Sequence, residues 1–152
     1  MFRLKSSLLV SAMTLASVLT TACAYSHVKP TQGNEIDNMQ AICLQKNTSR
    51  FGLAKMETFI DEAIKANGYQ SIMVDSTGDA EAKDCTHYLK YSVRYKGVRS
   101  DWLHISFFKV IPNNHGAYDR IGEISHRKPI LMDKDEPSQK TVNELIDRML
   151  HK

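Results

Sequence analysis

The sequence predicts an α+β two-layer sandwich: a mostly antiparallel sheet of four to five strands with two helices on one face. Three observations predict it. Residues from Leu53 to Ile64 place apolar side chains at three- and four-residue steps, and residues Val142 to Leu150 do the same near the C-terminus. Between them, residues from about 85 to 111 show a long strand-like alternation over two runs separated by Lys96-Gly97.

Each element follows from its local pattern. Ala41-Ile42-Cys43-Leu44 is a short apolar run that reads as a buried strand. Asn47, Thr48 and Ser49 offer N-caps for the first helix, whose inner face carries Leu53, Met56, Phe59, Ile60, Ala63 and Ile64 and which Asn67-Gly68 ends. Tyr69 to Val74 is the next strand, and residues 75–83, rich in Asp, Gly and Ala, read as a loop. In the strand from about Cys85 to Tyr95, Leu89, Tyr91, Val93 and Tyr95 share one face. In the strand from Trp102 to Ile111, Leu103, Ile105 and Phe107 do so. These two form a hairpin. Pro112-Asn113-Asn114-His115-Gly116 turns the chain into a more polar strand over Tyr118 to Ile124, while Ile130-Leu131-Met132 is ambiguous. The final helix starts near Ser138, with Thr141 and Glu144 in capping-box spacing if its start slips.

The N-terminus reads as an address. Arg3 and Lys5 precede an uncharged, mostly apolar run from Leu8 to Leu19, the pattern of a signal peptide and too short to span a bilayer. Leu19-Thr20-Thr21-Ala22-Cys23 resembles a bacterial lipobox, which implies that Cys23 receives a diacylglycerol and becomes the first mature residue. Thr20 stands where that pattern has Leu, and Ala22-Cys23-Ala24 also offers an ordinary peptidase a cut after Ala24 that discards the cysteine. The organisation expected is a signal peptide over 1–22, the lipid-attachment cysteine and a flexible spacer over 23–38, and one α+β domain over 39–152. Cys43 and Cys85 remain in the domain, and an even pair in an oxidising compartment is normally a disulfide. Closing a loop of about 43 residues removes denatured-state entropy worth about 4 kcal/mol.

Composition narrows the function. The 152 residues carry a formal charge of +3, which falls to +1 once Arg3 and Lys5 leave with the leader, a balance that argues against a nucleic-acid binder. The six histidines are scattered, the seven glycines form no phosphate loop, and no metal or cofactor is expected. Asp101, His104 and Ser106 are the best nucleophilic constellation available. His104 and Ser106 share a face simply because strands alternate, and no G-x-S-x-G elbow accompanies Ser106. Catalysis is therefore the weaker expectation. If the apolar faces of the hairpin cover the helices, Tyr88, Arg94, Trp102, His104 and Phe108 are left on the opposite face as a binding surface. An assignment inverted by one residue would make them core instead.

The succession of signal, lipid cysteine, spacer, Ile42-Cys43 strand, helix ending in Gly68-Tyr69, Asp84-Cys85, Trp102 and final helix resembles small uncharacterised proteobacterial envelope lipoproteins. That resemblance implies an outer-membrane anchor facing the periplasm, with a soluble periplasmic or secreted protein as the alternative, and it carries no activity. The expectation is a non-enzymatic lipoprotein that binds an envelope protein or glycan. A periplasmic immunity or hydrolase-inhibitor protein, and a secreted enzyme with an unrecognised site, stand as alternatives.

Overall fold

The computed structural model describes residues 25–47, 53–96, 99–111, 117–127 and 137–151. The leader, Cys23, Thr48 and Ser49, the turn at Pro112 to Gly116 and the Ile130 to Met132 run lie outside the described residues. Among the described residues, six strands and three α-helices follow in order: β1 (Tyr25–Lys29), β2 (Ala41–Gln45), α1 (Leu53–Ala66), β3 (Gln70–Val74), α2 (Thr77–Ala82), β4 (His87–Lys96), β5 (Arg99–Val110), β6 (Tyr118–Arg127) and α3 (Gln139–Leu150).

The α+β class holds, but the sheet is mixed and has six strands in the order β1-β6-β5-β4-β2-β3, where four to five mostly antiparallel strands were expected. β4, β5, β6 and β1 pair antiparallel, whereas β2 pairs parallel with both β3 and β4. The reason lies in the connection. α1 carries the chain back across one face, so β3 re-enters beside β2 in the same direction.

Two further elements differ from the sequence reading. Residues Tyr25–Lys29, read as part of a spacer, form an edge strand on β6, joined by a hydrogen bond of 2.7 Å between Ser26 Oγ and His126 Nδ1. The segment that follows is pinned to α3, because Thr31 N–H donates to the Met149 carbonyl at 2.8 Å. The loop after β3 contains α2, which Ser76 caps: Asp79 N–H donates to Ser76 Oγ, and Asp75 N–H, just before the cap, donates to Asp79 Oδ2. That bond, helped by Lys83, holds the Asp79 carboxyl below its usual range.

α1 and α3 pack on one face of the sheet over Ile42, Leu44, Leu89, Tyr91, Leu103, Ile105, Phe107 and Ile124, all buried. The hairpin's apolar faces are thus the core, with no inversion. Gly68, at φ +86°, ends α1 in the left-handed conformation, and Ser138 caps α3 by accepting from Thr141 N–H. On the far face a smaller cluster gathers Cys43, Val74, Ala80, Cys85 and Tyr88 beneath α2. The Cys43–Cys85 disulfide lies within it, with Cα atoms 6.0 Å apart.

Candidate functional site

The face of the sheet turned away from α1 and α3 is built in rows, because residues paired across antiparallel strands point the same way. At one end, Tyr25, Arg127, Trp102 and Arg94 stand side by side across β1, β6, β5 and β4. Two residues further along come His27, Ser125, His104 and Ser92, and then Lys29, Glu123, Ser106 and Lys90. A bulge in β6 shifts the register beyond Phe107, so the next row is Arg120, Phe108 and Tyr88.

Of the five residues expected to form a binding surface, the structure keeps three together and sets two apart. Trp102, His104 and Arg94 lie within the first two rows, with Trp102 and His104 half-buried and Arg94 exposed. Tyr88 is only 1% exposed and belongs to the second core cluster. Its hydroxyl donates to Gln45 Oε1, and burial pushes its pKa up to about 12, so it remains a donor. Phe108 is half-buried and packs against that cluster, with its ring edge-on to Tyr118 at 4.7 Å. A small core forms on this side because α2, unread in the sequence, covers that end of the sheet.

The centre of the face is ordered by polar contacts. The Trp102 and His104 rings are stacked, 5.3 Å between centroids and within 4° of parallel. Trp102 Nε1 donates to Ser125 Oγ at 3.4 Å. His104 Nε2 lies 3.1 Å from Ser106 Oγ, and its Nδ1 lies 3.6 Å from Glu123 Oε1, while Arg120 holds the other carboxylate oxygen at 3.2 Å. Ser106, His104 and Glu123 thus stand in the order of a nucleophile, base and orienting carboxylate. The side chain of Asp101, considered for that third role, lies outside the described residues. β5 is an internal strand whose N–H groups are committed to β4 and β6, so its backbone does not offer the paired donors that a tetrahedral oxyanion needs. These contacts fix the orientation of the Trp102 and His104 rings.

A second polar feature, a depression of about 170 Å³, opens beside Lys90 and is lined also by Gln45, Lys46, Asn47, Asp75 and Tyr91. Its salt bridge from Lys46 to Asp75, at 3.3 Å, is solvent-exposed and worth little. Among the described residues, no three His, Cys, Asp or Glu side chains converge as metal ligands, and no helix is long and apolar enough to cross a membrane.

Sequence reasoning missed the contributions of His27, Lys29, Ser125, Glu123 and Arg127 to this face. The alternation of Ile124 and His126 against Glu123, Ser125 and Arg127 marked two faces of β6. Nothing local showed that β1 would extend the same rows.

No family model and no curated protein matches the sequence. Fifteen chains of solved structures are similar in fold. Two are structures of PelC from Paraburkholderia phytofirmans, both dodecamers, one of them a point variant. The variant is 10% identical with a TM-score of 0.54, the other 9% identical with 0.53, and each match covers 86% of this chain and 100% of PelC. The likeness is one of fold.

Proposed function

We propose that this chain is a non-enzymatic cell-envelope lipoprotein, anchored through Cys23 on the periplasmic side of the outer membrane, that works by binding through the open sheet face. The observation that carries this reading is Trp102. Its large ring stands on the open face, held by Ser125 and stacked on His104, while the other face of the same strands is covered by α1 and α3. An aromatic ring already ordered beside solvent loses little freedom on binding, as interface anchors do. The Cys43–Cys85 bond supports an oxidising compartment. Because β1 starts two residues after Cys23, an acyl group there would hold the domain within about 7 Å of its attachment point.

The test is a crosslinking pull-down from native envelopes with the parent and Trp102→Ala, alongside thermal melts. Loss of a specific partner at unchanged melting temperature supports the reading; a collapsed melting temperature, or an unchanged set of partners, overturns it. Anchoring is tested separately. A Cys23→Ser variant is expected in the soluble periplasmic fraction while the parent sediments with membranes, and a parent whose intact mass starts at an unmodified Tyr25 overturns the anchor.

A second reading, association with further copies of itself, is favoured by the fold likeness to PelC, which was solved as a dodecamer. Native mass spectrometry of the mature chain checks it, and a monomer at micromolar concentration overturns it.

A further inference from the structure

We propose that the open sheet face binds an acidic glycan, a sugar chain bearing carboxylate or phosphate groups. This rests on the reading that the face is the binding surface, and it names the partner's chemistry.

Basic side chains gather along the open strands of this face. Among the described side chains of its four rows, Lys29, Lys90, Arg120 and Arg127 stand beside Glu123, which is itself held between Arg120 and His104, and Arg94 lies at the end of the first row. The whole chain carries only +3, so this gathering along the strands β1, β6, β5 and β4, away from the acidic Asp75 and Asp79 at α2, is a local feature, and it suits a polyanion.

Aromatic rings are placed among those cations. Tyr25 and Trp102 occupy the first row, on either side of Arg127. Tyr118 lies at the other end, edge-on to the half-buried Phe108, which is six residues along β5 from Trp102, or about 20 Å at the usual rise per strand residue. Tyr25 and Tyr118, at 63% and 41%, are the exposed large hydrophobic residues among those described, and both are on this side. Sugar rings present flat C–H surfaces that pack on aromatic faces, with acidic substituents at the ring edge. Cations and rings alternating across one row meet both requirements. The two middle rows add Ser92, Ser125 and His27, whose side chains donate to and accept from hydroxyls.

The shape of the surface favours a chain-like ligand over a bilayer. α2 and the cluster around Tyr88 stand on the same side of the sheet at its β2 and β3 end. A planar membrane would meet that raised end first, whereas an extended sugar chain can lie along the floor formed by β1, β6, β5 and β4.

The experiment uses the mature chain released from envelopes, titrated with polygalacturonate oligosaccharides, with neutral malto-oligosaccharides, phosphatidylglycerol vesicles and single-stranded DNA as comparisons. The parent is expected to bind the polyuronate, more weakly at higher salt, and not the neutral sugar. Lys29→Gln combined with Arg127→Gln should weaken binding about tenfold, and Trp102→Ala by a similar factor. Lys140→Gln, which removes an exposed cation from α3 on the opposite side, should leave it unchanged. The double variant keeps the test valid if Trp102→Ala fails to fold. No binding by the parent, equal weakening by Lys140→Gln, or binding to vesicles or DNA as tight as to polyuronate overturns the proposal. If the pull-down finds a Trp102-dependent envelope protein while the polyuronate does not bind, the binding face stands and its glycan partner falls; if neither is found, both fall.

Discussion

Ser26 and His126, one hundred residues apart in the chain, share a hydrogen bond of 2.7 Å that ties the first described strand to the sixth. The contact makes the chain's start part of the sheet. Amides of Tyr25–Lys29 that face β6 should therefore exchange with deuterium far more slowly than free chain, and Ser26→Ala should cost about 1 kcal/mol. Exchange at free-chain rates throughout 25–29 would show that this segment is a spacer after all.

The disulfide closes a separation of 42 residues and joins β2 to the entrance of β4. Replacing both Cys43 and Cys85 by Ser should lower stability by about 2 to 5 kcal/mol, read from denaturant unfolding. Reductant should reproduce the loss in the parent and leave the double variant unaffected.

Acid should destabilise the fold through His87. The ring is buried, stacked on Phe107 at 5.6 Å, with Nε2 2.8 Å from the Glu35 carbonyl and Nδ1 2.9 Å from Thr86 Oγ1. A neutral ring donating from Nε2 and accepting at Nδ1 satisfies both partners. Burial holds its pKa below the ordinary 6.5, with the Glu35 carbonyl opposing that shift only in part. As pH falls, the unfolded chain takes up this proton first. The stabilisation is thus full above about pH 6.5 and is lost as pH drops from there towards the folded value. Melting temperature should fall between pH 7 and pH 5, and His87→Gln should flatten that slope; parallel slopes would exclude His87 as the cause.

Gly122 has no room for a side chain. A Cβ there would lie 2.8 Å from Thr31 Oγ1 and 3.1 Å from Met149 Cγ, where the segment after β1 and α3 converge on β6. Gly122→Ala should cost about 1 to 3 kcal/mol through displaced neighbours. Thr31 Oγ1 is buried without a partner, so Thr31→Val should be neutral or stabilising in the same assay.

The elements with a periodic signal were legible in the amino-acid order alone. α1 and α3 follow from three- and four-residue apolar steps, and the faces of β4 and β5 from alternation. Leu89, Tyr91, Leu103, Ile105 and Phe107 are core, and Cys43 pairs with Cys85. Such patterns are local consequences of backbone geometry and need no knowledge of neighbours. The remaining features depend on long-range packing. Whether β2 and β3 run parallel depends on where α1 lands. The five residues of β1 are too short and polar to declare a strand until β6 offers its edge. α2 had a legible signal in Ser76 and Asp79, masked by Gly78 and the surrounding acids. The composition of the open face was beyond reach for the same reason: Trp102 and His104 were visible on β5, but Arg127, Glu123, Lys29 and Tyr25 join them only through strand register. Register is set by which hydrogen-bonding edges meet, and that is a property of the assembled sheet.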